Sequence, residues 1–348
     1  MIRHGDGENH IATIRQVLRE IRKGRRFLIT THVRCDGDAI GSELALMHLL
    51  ARLGREGHPV NDGRIPPEYQ FLPGAHRIGK GPEDLRGHYD GMIVVDSGNI
   101  QRLERIQTAL TPGLTIINID HHKSNERFGH VNWVEPHSSS VGEMLCRLVK
   151  EAGVPMERNI ALPLYVSILT DTGRFSHSNT KPSTLLAAAE LLRHGIDPGM
   201  VTRNLFGNRT IAELRLQADF LAQIQVSRDG RVGWAALTVD MCRHWNVQPM
   251  LAQDYVDMIK SLRGVDVAVL FMELESSRPL VKVSFRGESN VDVSALAKVF
   301  AGGGHSRAAG CVVPGGIEQV ERRVLAETRR HLEPGTNPRK KTRVRVTV

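Results

Sequence analysis

Three short apolar runs in the N-terminal half each end in an acidic or imidazole side chain, which constrains the fold more than any other feature. Phe27-Leu28-Ile29-Thr30-Thr31 runs into His32-Val33-Arg34-Cys35-Asp36-Gly37-Asp38. Gly91-Met92-Ile93-Val94-Val95 ends at Asp96, and Thr115-Ile116-Ile117-Asn118-Ile119 ends at Asp120-His121-His122. Continuous apolar runs of this length read as strands covered on both faces, the pattern of a parallel sheet flanked by helices. Ile11, Ile14, Val17, Leu18 and Ile21 recur at helical spacing, and further helices are expected near 38–53, 141–152, 160–169 and 183–194. Ligands of an open α/β sheet bind beyond the carboxyl ends of its strands, so side chains from three strand ends converge on one crevice. A fourth candidate, Asp171, follows the apolar run 162–169 in Thr170-Asp171-Thr172-Gly173.

Taken singly, each of these residues has an ordinary structural explanation. A histidine after a strand is commonly a hydrogen-bonded structural residue, and Asp36-Gly37 or Asp171-Thr172-Gly173 read as turns or helix caps. Asp96 is harder to explain that way, because a carboxylate at the end of a buried strand is costly unless paired. Jointly, three strand ends and a helix end carrying Asp or His exceed what sheet packing requires. Carboxylate-rich sets with a few imidazoles suit divalent ions such as Mn²⁺ or Mg²⁺. Two such ions ~4 Å apart clamp the attacking and departing oxygens of an in-line phosphoryl displacement and lower the pKa of a bridging water. The expected reaction class is metal-assisted hydrolysis, with Asp96 as the bridging carboxylate.

At 348 residues the chain suits two domains. A second pattern begins after 220. Asp229-Gly230 sits between Ile224-Gln225-Val226 and Val232-Gly233-Trp234-Ala235-Ala236-Leu237, a hairpin signal. Strand-like runs follow at 265–274 and 280–285, then a helix near 291–300. The organisation read from these patterns is a domain at 10–195, a helical linker at 196–220 including a helix near 211–224, a smaller domain at 221–335 and a tail at 336–348. The net charge of +8 owes five units to Arg339, Lys340, Lys341, Arg343 and Arg345, leaving +3 on the rest. The basic tail is expected to be a solvated, disordered end, so charge alone does not identify a nucleic-acid binder. Cys35, Cys146, Cys242 and Cys311 lie far apart, which argues against a thiolate zinc site or a disulfide framework. No apolar run reaches the ~18 residues of a membrane span, and the N-terminus lacks an apolar signal core. A cytoplasmic protein without a membrane partner is expected. Gly74-x-x-x-x-Gly79-Lys80-Gly81 nearly spells a P-loop, but Gly81 replaces its Ser or Thr, Pro82 follows, and no strand leads into it. It reads as a surface loop.

The motifs resemble the Asp-His-His (DHH) phosphoesterase family. His32-x-x-x-Asp36-x-Asp38-x-x-Gly41-Ser42, Val95-Asp96-Ser97, Asp120-His121-His122 and Asp171-Thr172-Gly173-Arg174-Phe175 look like its four motifs, in order. Gly302-Gly303-Gly304-His305-Ser306-Arg307-Ala308-Ala309-Gly310 resembles the glycine-rich signature of the associated C-terminal domain. Cys35 stands where the family commonly has proline, which implies a small loop change. The resemblance implies an α/β fold: an N-terminal parallel sheet flanked by helices, a smaller mixed-sheet α/β domain, and an active site in the cleft between them. It further implies that His32, Asp36 and Asp96 hold one metal, and Asp38, His121, Asp171 and the shared Asp96 the other. His122 would face the substrate phosphate, Asp120 would orient an imidazole, and Arg286, Gly303, Gly304 and His305 would bind a substrate phosphate. Two divalent ions are implied, Mn²⁺ first, with Mg²⁺ or Co²⁺ as alternatives.

The chain length is similar to the nanoRNase branch, which degrades oligoribonucleotides of two to five nucleotides and removes the 3′-phosphate of adenosine 3′,5′-bisphosphate. Short RNA and nucleotide phosphates are thus the expected partners, with a homodimer as the candidate assembly. The alternatives are a linear or cyclic dinucleotide phosphodiesterase, an exopolyphosphatase or pyrophosphatase of the same superfamily, and a non-catalytic nucleotide-binding regulator.

Overall fold

The computed structural model describes residues 4–108, 113–249, 255–288, 291–304 and 306–332. The chain divides between Asn208 and Arg209 into two compact units, each with its own sheet.

The first unit opens with helix α1 (His4–Lys23) and strand β1 (Arg26–Thr30), followed by α2 (Gly37–Arg52), β2 (Glu56–Pro59) and β3 (Gly91–Val95). Next come α3 (Arg105–Thr108), β4 (Thr115–Asp120) and β5 (Val131–Val134), then α4 (Val141–Glu151), α5 (Arg158–Asp171), α6 (Pro182–Leu192) and α7 (Pro198–Phe206). The strands form one sheet in the order β2-β1-β3-β4-β5, every pair parallel. Alternate residues explain its two faces. Ile29, Ile93, Val95, Ile117 and Ile119 point into the core formed with α1, α2, α4 and α5. Leu28, Met92 and Val94 point the other way. The sequence pattern implies a sheet covered on both faces, and this second face is covered by short elements. Leu103 and Ile106 lie against it together with Val60 and Tyr89, from a 3₁₀ turn, α3 and connecting loops.

Close helix approach sets up the site. A Cβ on Gly41 of α2 would lie 2.3 Å from the Pro163 carbonyl oxygen of α5, and one on Gly142 of α4 would lie 2.0 Å from Ser167 Oγ. Only glycine lets α2, α4 and α5 touch there, and the contact gathers Asp38, Ser42, Ser167 and the start of α4 around one point. The P-loop-like segment is a loop with 3₁₀ turns at Ala75–Arg77 and Pro82–Asp84. Its Lys80 N–H donates to Asp84 Oδ2 at 2.7 Å, so a side chain of the loop takes the place a phosphate would need.

The second unit comprises α8 (Ile211–Ala222), β6 (Gln225–Val226), β7 (Val232–Leu237), α9 (Val239–Trp245), α10 (Tyr255–Lys260), β8 (Val267–Leu274) and β9 (Leu280–Gly287). It continues with α11 (Val293–Val299), β10 (Gly303–Gly304), β11 (Ala308–Pro314) and α12 (Ile317–Leu332). Its sheet runs β10-β11-β9-β8-β7-β6, with β7 and β8 parallel and the other pairs antiparallel. Gly230, at φ +73°, turns the β6–β7 hairpin. Along β8, Val267, Val269 and Phe271 face a core closed by α11 and α12, while Ala268, Leu270 and Met272 face one closed by α8, α9 and α10. No helix among the described residues is long and apolar enough to cross a membrane, and all four cysteines are free thiols. The basic tail at 336–348 lies outside the described residues.

Candidate metal centre

The site is built at the carboxyl ends of β1, β3 and β4 and at the start of α2 and end of α5. His32 follows β1, and its Nδ1 lies 2.9 Å from the Val33 carbonyl oxygen. This leaves Nε2 facing Asp96 Oδ2 at 3.4 Å and Asp36 Oδ2 at 4.0 Å. Asp36 divides its carboxylate between two tasks. Oδ1 caps α2 by accepting the N–H groups of Asp38 and Ala39, both at 3.1 Å, while Oδ2 turns toward His32.

Asp38 is fully buried. Its Oδ2 accepts the Val141 N–H at 2.8 Å, and Oδ1 accepts the Gly142 N–H at 3.2 Å and the hydroxyls of Ser42 and Ser167. The first turn of α4, itself capped by Ser140, therefore points its free amides at this carboxylate. Asp96 directly follows β3 with φ +54°. That left-handed conformation is tolerated by Asp better than by most residues and breaks the strand direction at the carboxyl end of the central strand. Its Oδ1 is buried with no hydrogen-bond partner among the described residues, and lies 3.5 Å from His121 Nε2 and 3.6 Å from His122 Nδ1.

His121 presents Nε2 to three carboxylates at once, at 3.6 Å from Asp38, 3.5 Å from Asp96 and 3.7 Å from Asp171. Its Nδ1 is 3.4 Å from the Ser138 carbonyl oxygen. Both His32 and His121 thus turn Nδ1 to a backbone carbonyl and Nε2 to acids, the orientation that metal-ligating imidazoles adopt. His122 differs, because its Nδ1 is held by Asp120 Oδ1 at 2.7 Å. Asp120, fully buried, also accepts the His121 N–H at 2.9 Å and Asn125 Nδ2 at 2.6 Å. Asp171 ends α5, and Gly173, Arg174 and Phe175 behind it all have φ between 54° and 63°. Asn179 Nδ2 lies 3.3 Å from Asp171 Oδ2.

The charges do not balance within the protein. Burial drives the Asp38 carboxyl well above the usual range, reinforced by the neighbouring charges of Asp96 and Asp171. Asp171 is pushed up to about 7, first by burial and then by Asp96 and Asp36, against the pull of His121. Burial works against the ionised Asp96 too, but His121 and His32 hold it well below the usual carboxylate range. His121 rises to about 11 because Asp96, Asp38 and Asp171 outweigh the effect of burial.

Donor atoms of His32, Asp36 and Asp96 all lie within 4.8 Å of one another, as do those of Asp38, His121 and Asp171 and those of Asp96, His121 and His122. An ion with ~2.0–2.2 Å bonds to such N and O donors needs ligand atoms that close. The orphaned Asp96 Oδ1, lying between the imidazoles, is the atom a cation would satisfy. The donor set therefore suits divalent ions.

Other expected site residues belong to the second unit. Arg286, in β9, donates from Nε to Asp257 Oδ1 at 2.8 Å. Gly303 and Gly304 form β10 against Gly310 and Ala309, and His305 lies outside the described residues. Sequence reasoning overlooked the polar groups that hold the acids and imidazoles in place: Ser138, Ser140, Ser167, Asn125 and Asn179. Ser140 had a readable signal, a serine just before the apolar start of a helix. The asparagines had none.

Comparison with known proteins matches residues 26–168 to the DHH family N-terminal domain and residues 232–332 to the DHHA1 domain. A Thermus thermophilus protein named bifunctional oligoribonuclease and PAP phosphatase NrnA is 34% identical over 306 residues, covering 87% of this chain and 89% of the relative. The Bacillus subtilis protein of the same name is 26% identical, covering 86% and 92%. Among solved structures, an exopolyphosphatase-related protein from Bacteroides fragilis shares the fold at a TM-score of 0.85 and 24% identity, over 92% of this chain and 95% of that one. RecJ from Thermus thermophilus in complex with Mn²⁺ aligns at a TM-score of 0.52 and 16% identity, over 92% of this chain and 55% of that one.

Proposed function

The chain belongs to the DHH family and is a hydrolase of phosphoester bonds, and from that premise we propose that it degrades oligoribonucleotides of two to five nucleotides and removes the 3′-phosphate of adenosine 3′,5′-bisphosphate. The observation that carries this reading is the pair of three-donor groups, His32/Asp36/Asp96 and Asp38/His121/Asp171, which meet through the Asp96–His121 contact of 3.5 Å. We assign one divalent ion to each group with Asp96 shared, and Mn²⁺ is the ion proposed. The Thermus and Bacillus relatives, named for both activities, support the substrate assignment.

Bound there, divalent ions would stabilise the negative charge on the attacking and leaving oxygens and lower the pKa of a bound water. The chain's own residues do the rest. His32 and His121 would each offer a neutral Nε2 to a metal. Asp120 fixes His122 through Nδ1, and His122 is proposed to face the substrate phosphate. Arg286 in the second unit is proposed to take a terminal phosphate. Its present partner Asp257 contacts it through Nε at 2.8 Å and Nη2 at 3.5 Å, a two-point contact of the kind a phosphate makes.

A 5′-labelled RNA trimer and adenosine 3′,5′-bisphosphate, incubated in parallel with Mn²⁺ and with Mg²⁺, test the reading. Mononucleotides from the trimer and adenosine monophosphate from the bisphosphate, both stopped by EDTA, are the expected products. Hydrolysis of pyrophosphate or polyphosphate with neither nucleotide substrate touched would replace it.

A further inference from the structure

Beneath the His32 and Asp96 ends of the sheet lies a polar chain that none of the roles above uses. Glu43, on α2, is completely buried, and Asn61, just past β2, is 1% exposed. Asn61 Nδ2 donates to Glu43 Oε2 at 2.7 Å, and Asn61 Oδ1 accepts the Thr31 N–H at 3.2 Å. The Thr31 hydroxyl in turn donates to the Val95 carbonyl oxygen at 2.9 Å. Asn61 is itself tied down by its own N–H on the Gly79 carbonyl oxygen at 3.1 Å. Thr31 immediately precedes His32, and Val95 immediately precedes Asp96.

We propose that Glu43 and Asn61 are a positioning pair that sets the spacing between His32 and Asp96, and through it the affinity of the His32/Asp36/Asp96 group for its cation. Packing alone would be served by a leucine or methionine at 43, whereas a carboxyl there is costly, and its Oε1 has no hydrogen-bond partner among the described residues. Burial raises this carboxyl to about 8, with only Asn61 opposing, so at neutral pH it is mainly the uncharged acid. An uncharged group anchors the Asn61 amide without adding a further negative charge near Asp36, Asp38, Asp96 and Asp171. The amide fixes the end of β1, and the Thr31 hydroxyl passes that constraint to β3. The paired strand ends then hold imidazole and carboxylate 3.4 Å apart. Ligand-orienting hydrogen bonds of this kind commonly tune metal affinity 10–100-fold.

The test measures Mn²⁺ binding directly, from the free-Mn²⁺ electron paramagnetic resonance signal, alongside hydrolysis of the RNA trimer as a function of Mn²⁺ concentration. Asn61→Ala is expected to weaken one of two Mn²⁺ sites by ~10–100-fold. Saturating Mn²⁺ should recover most of kcat, and KM for RNA should stay within about twofold. Glu43→Gln, which keeps an uncharged acceptor, is expected to stay within about threefold of the parent in Mn²⁺ affinity, and Glu43→Leu to behave like Asn61→Ala. Should Asn61→Ala not fold, Thr31→Val, nearly equal in shape, carries the test and is expected to weaken the same site severalfold. Mn²⁺ affinities unchanged in Asn61→Ala and Thr31→Val, even with lowered melting temperatures, would overturn the proposal and leave the pair a plain packing feature. The proposal rests on the metal reading of the site, and the two fail differently: a parent protein that binds no Mn²⁺ overturns that reading first.

Discussion

The two units solve opposite problems with their charged residues. In the first, Asp38, Asp96 and His121 gather at strand and helix ends, and Asp96 Oδ1 has no hydrogen bond among the described residues. In the second, described acids and bases pair locally: Arg231 with Asp266 at 2.7 Å, Arg286 with Asp257 at 2.8 Å, and Lys260 with Glu288. Its interior is apolar on both faces of the sheet. A unit built for stability alone satisfies its own polar groups. One that leaves a buried carboxylate oxygen unmatched offers a place to an external partner, and the cation proposed for the first unit would be that partner.

Substituting the carboxylate proposed to be shared breaks the comparison most severely. Asp96→Ala is expected to lower trimer hydrolysis roughly a thousandfold or more, about 4 kcal/mol of transition-state stabilisation, and to abolish Mn²⁺ binding to both groups. Parent-like rates would mean that Asp96 bridges nothing. The reverse experiment loads the damage onto the second unit. Phe271, fully buried between β8 and α12, should cost ~3–5 kcal/mol when cut to alanine, seen as a lower urea midpoint. Mn²⁺ binding at the first unit should survive where that unit stays folded. Loss of Mn²⁺ binding in step with the second unit's unfolding would show that the two are not energetically separate.

Smaller effects sharpen the contrast. The carboxyl of Glu43 has its folded pKa raised from 4.5 to about 8 by burial. A raised carboxyl favours folding fully below its ordinary value, and that contribution is lost as pH rises through the folded value. Between pH 5 and pH 8 the parent should therefore lose stability relative to Glu43→Gln, by an amount on the order of 2–3 kcal/mol. Urea unfolding of both proteins at the two pH values checks this, and parallel pH profiles would contradict it. Arg286→Ala is the mildest. It should raise KM for a terminally phosphorylated substrate ~10–30-fold with kcat and Mn²⁺ affinity kept, and an unchanged KM would remove Arg286 from phosphate binding.

How far the sequence reveals this molecule follows from the same contrast. Strands β1, β3 and β4 are legible because they are buried on both faces, and continuous apolar runs such as 91–95 have few other uses. Strand β2, Glu-Gly-His-Pro, and β5, Val-Asn-Trp-Val, sit at the sheet's edges and need no such run. Helix α12 buries Val320, Val324 and Leu325 along a narrow stripe in a segment otherwise full of charge, which hides it. At the site, Asp36, Asp38, Asp96, His121 and Asp171 stand out because their chemistry is expensive at strand and helix ends. The groups that hold them do not stand out. Val141 lies 103 residues from Asp38, and Asn61 is 30 residues from Thr31. Their meaning comes only from the packing of α2, α4 and α5 and the order of the strands.

The most direct measurement is an anomalous-scattering map from crystals of the protein soaked in Mn²⁺. Two peaks about 4 Å apart, with Asp96 between them, His32 and Asp36 on one and Asp38, His121 and Asp171 on the other, are the predicted result. A map with no peak among these residues, or a single peak that does not touch Asp96, would contradict it.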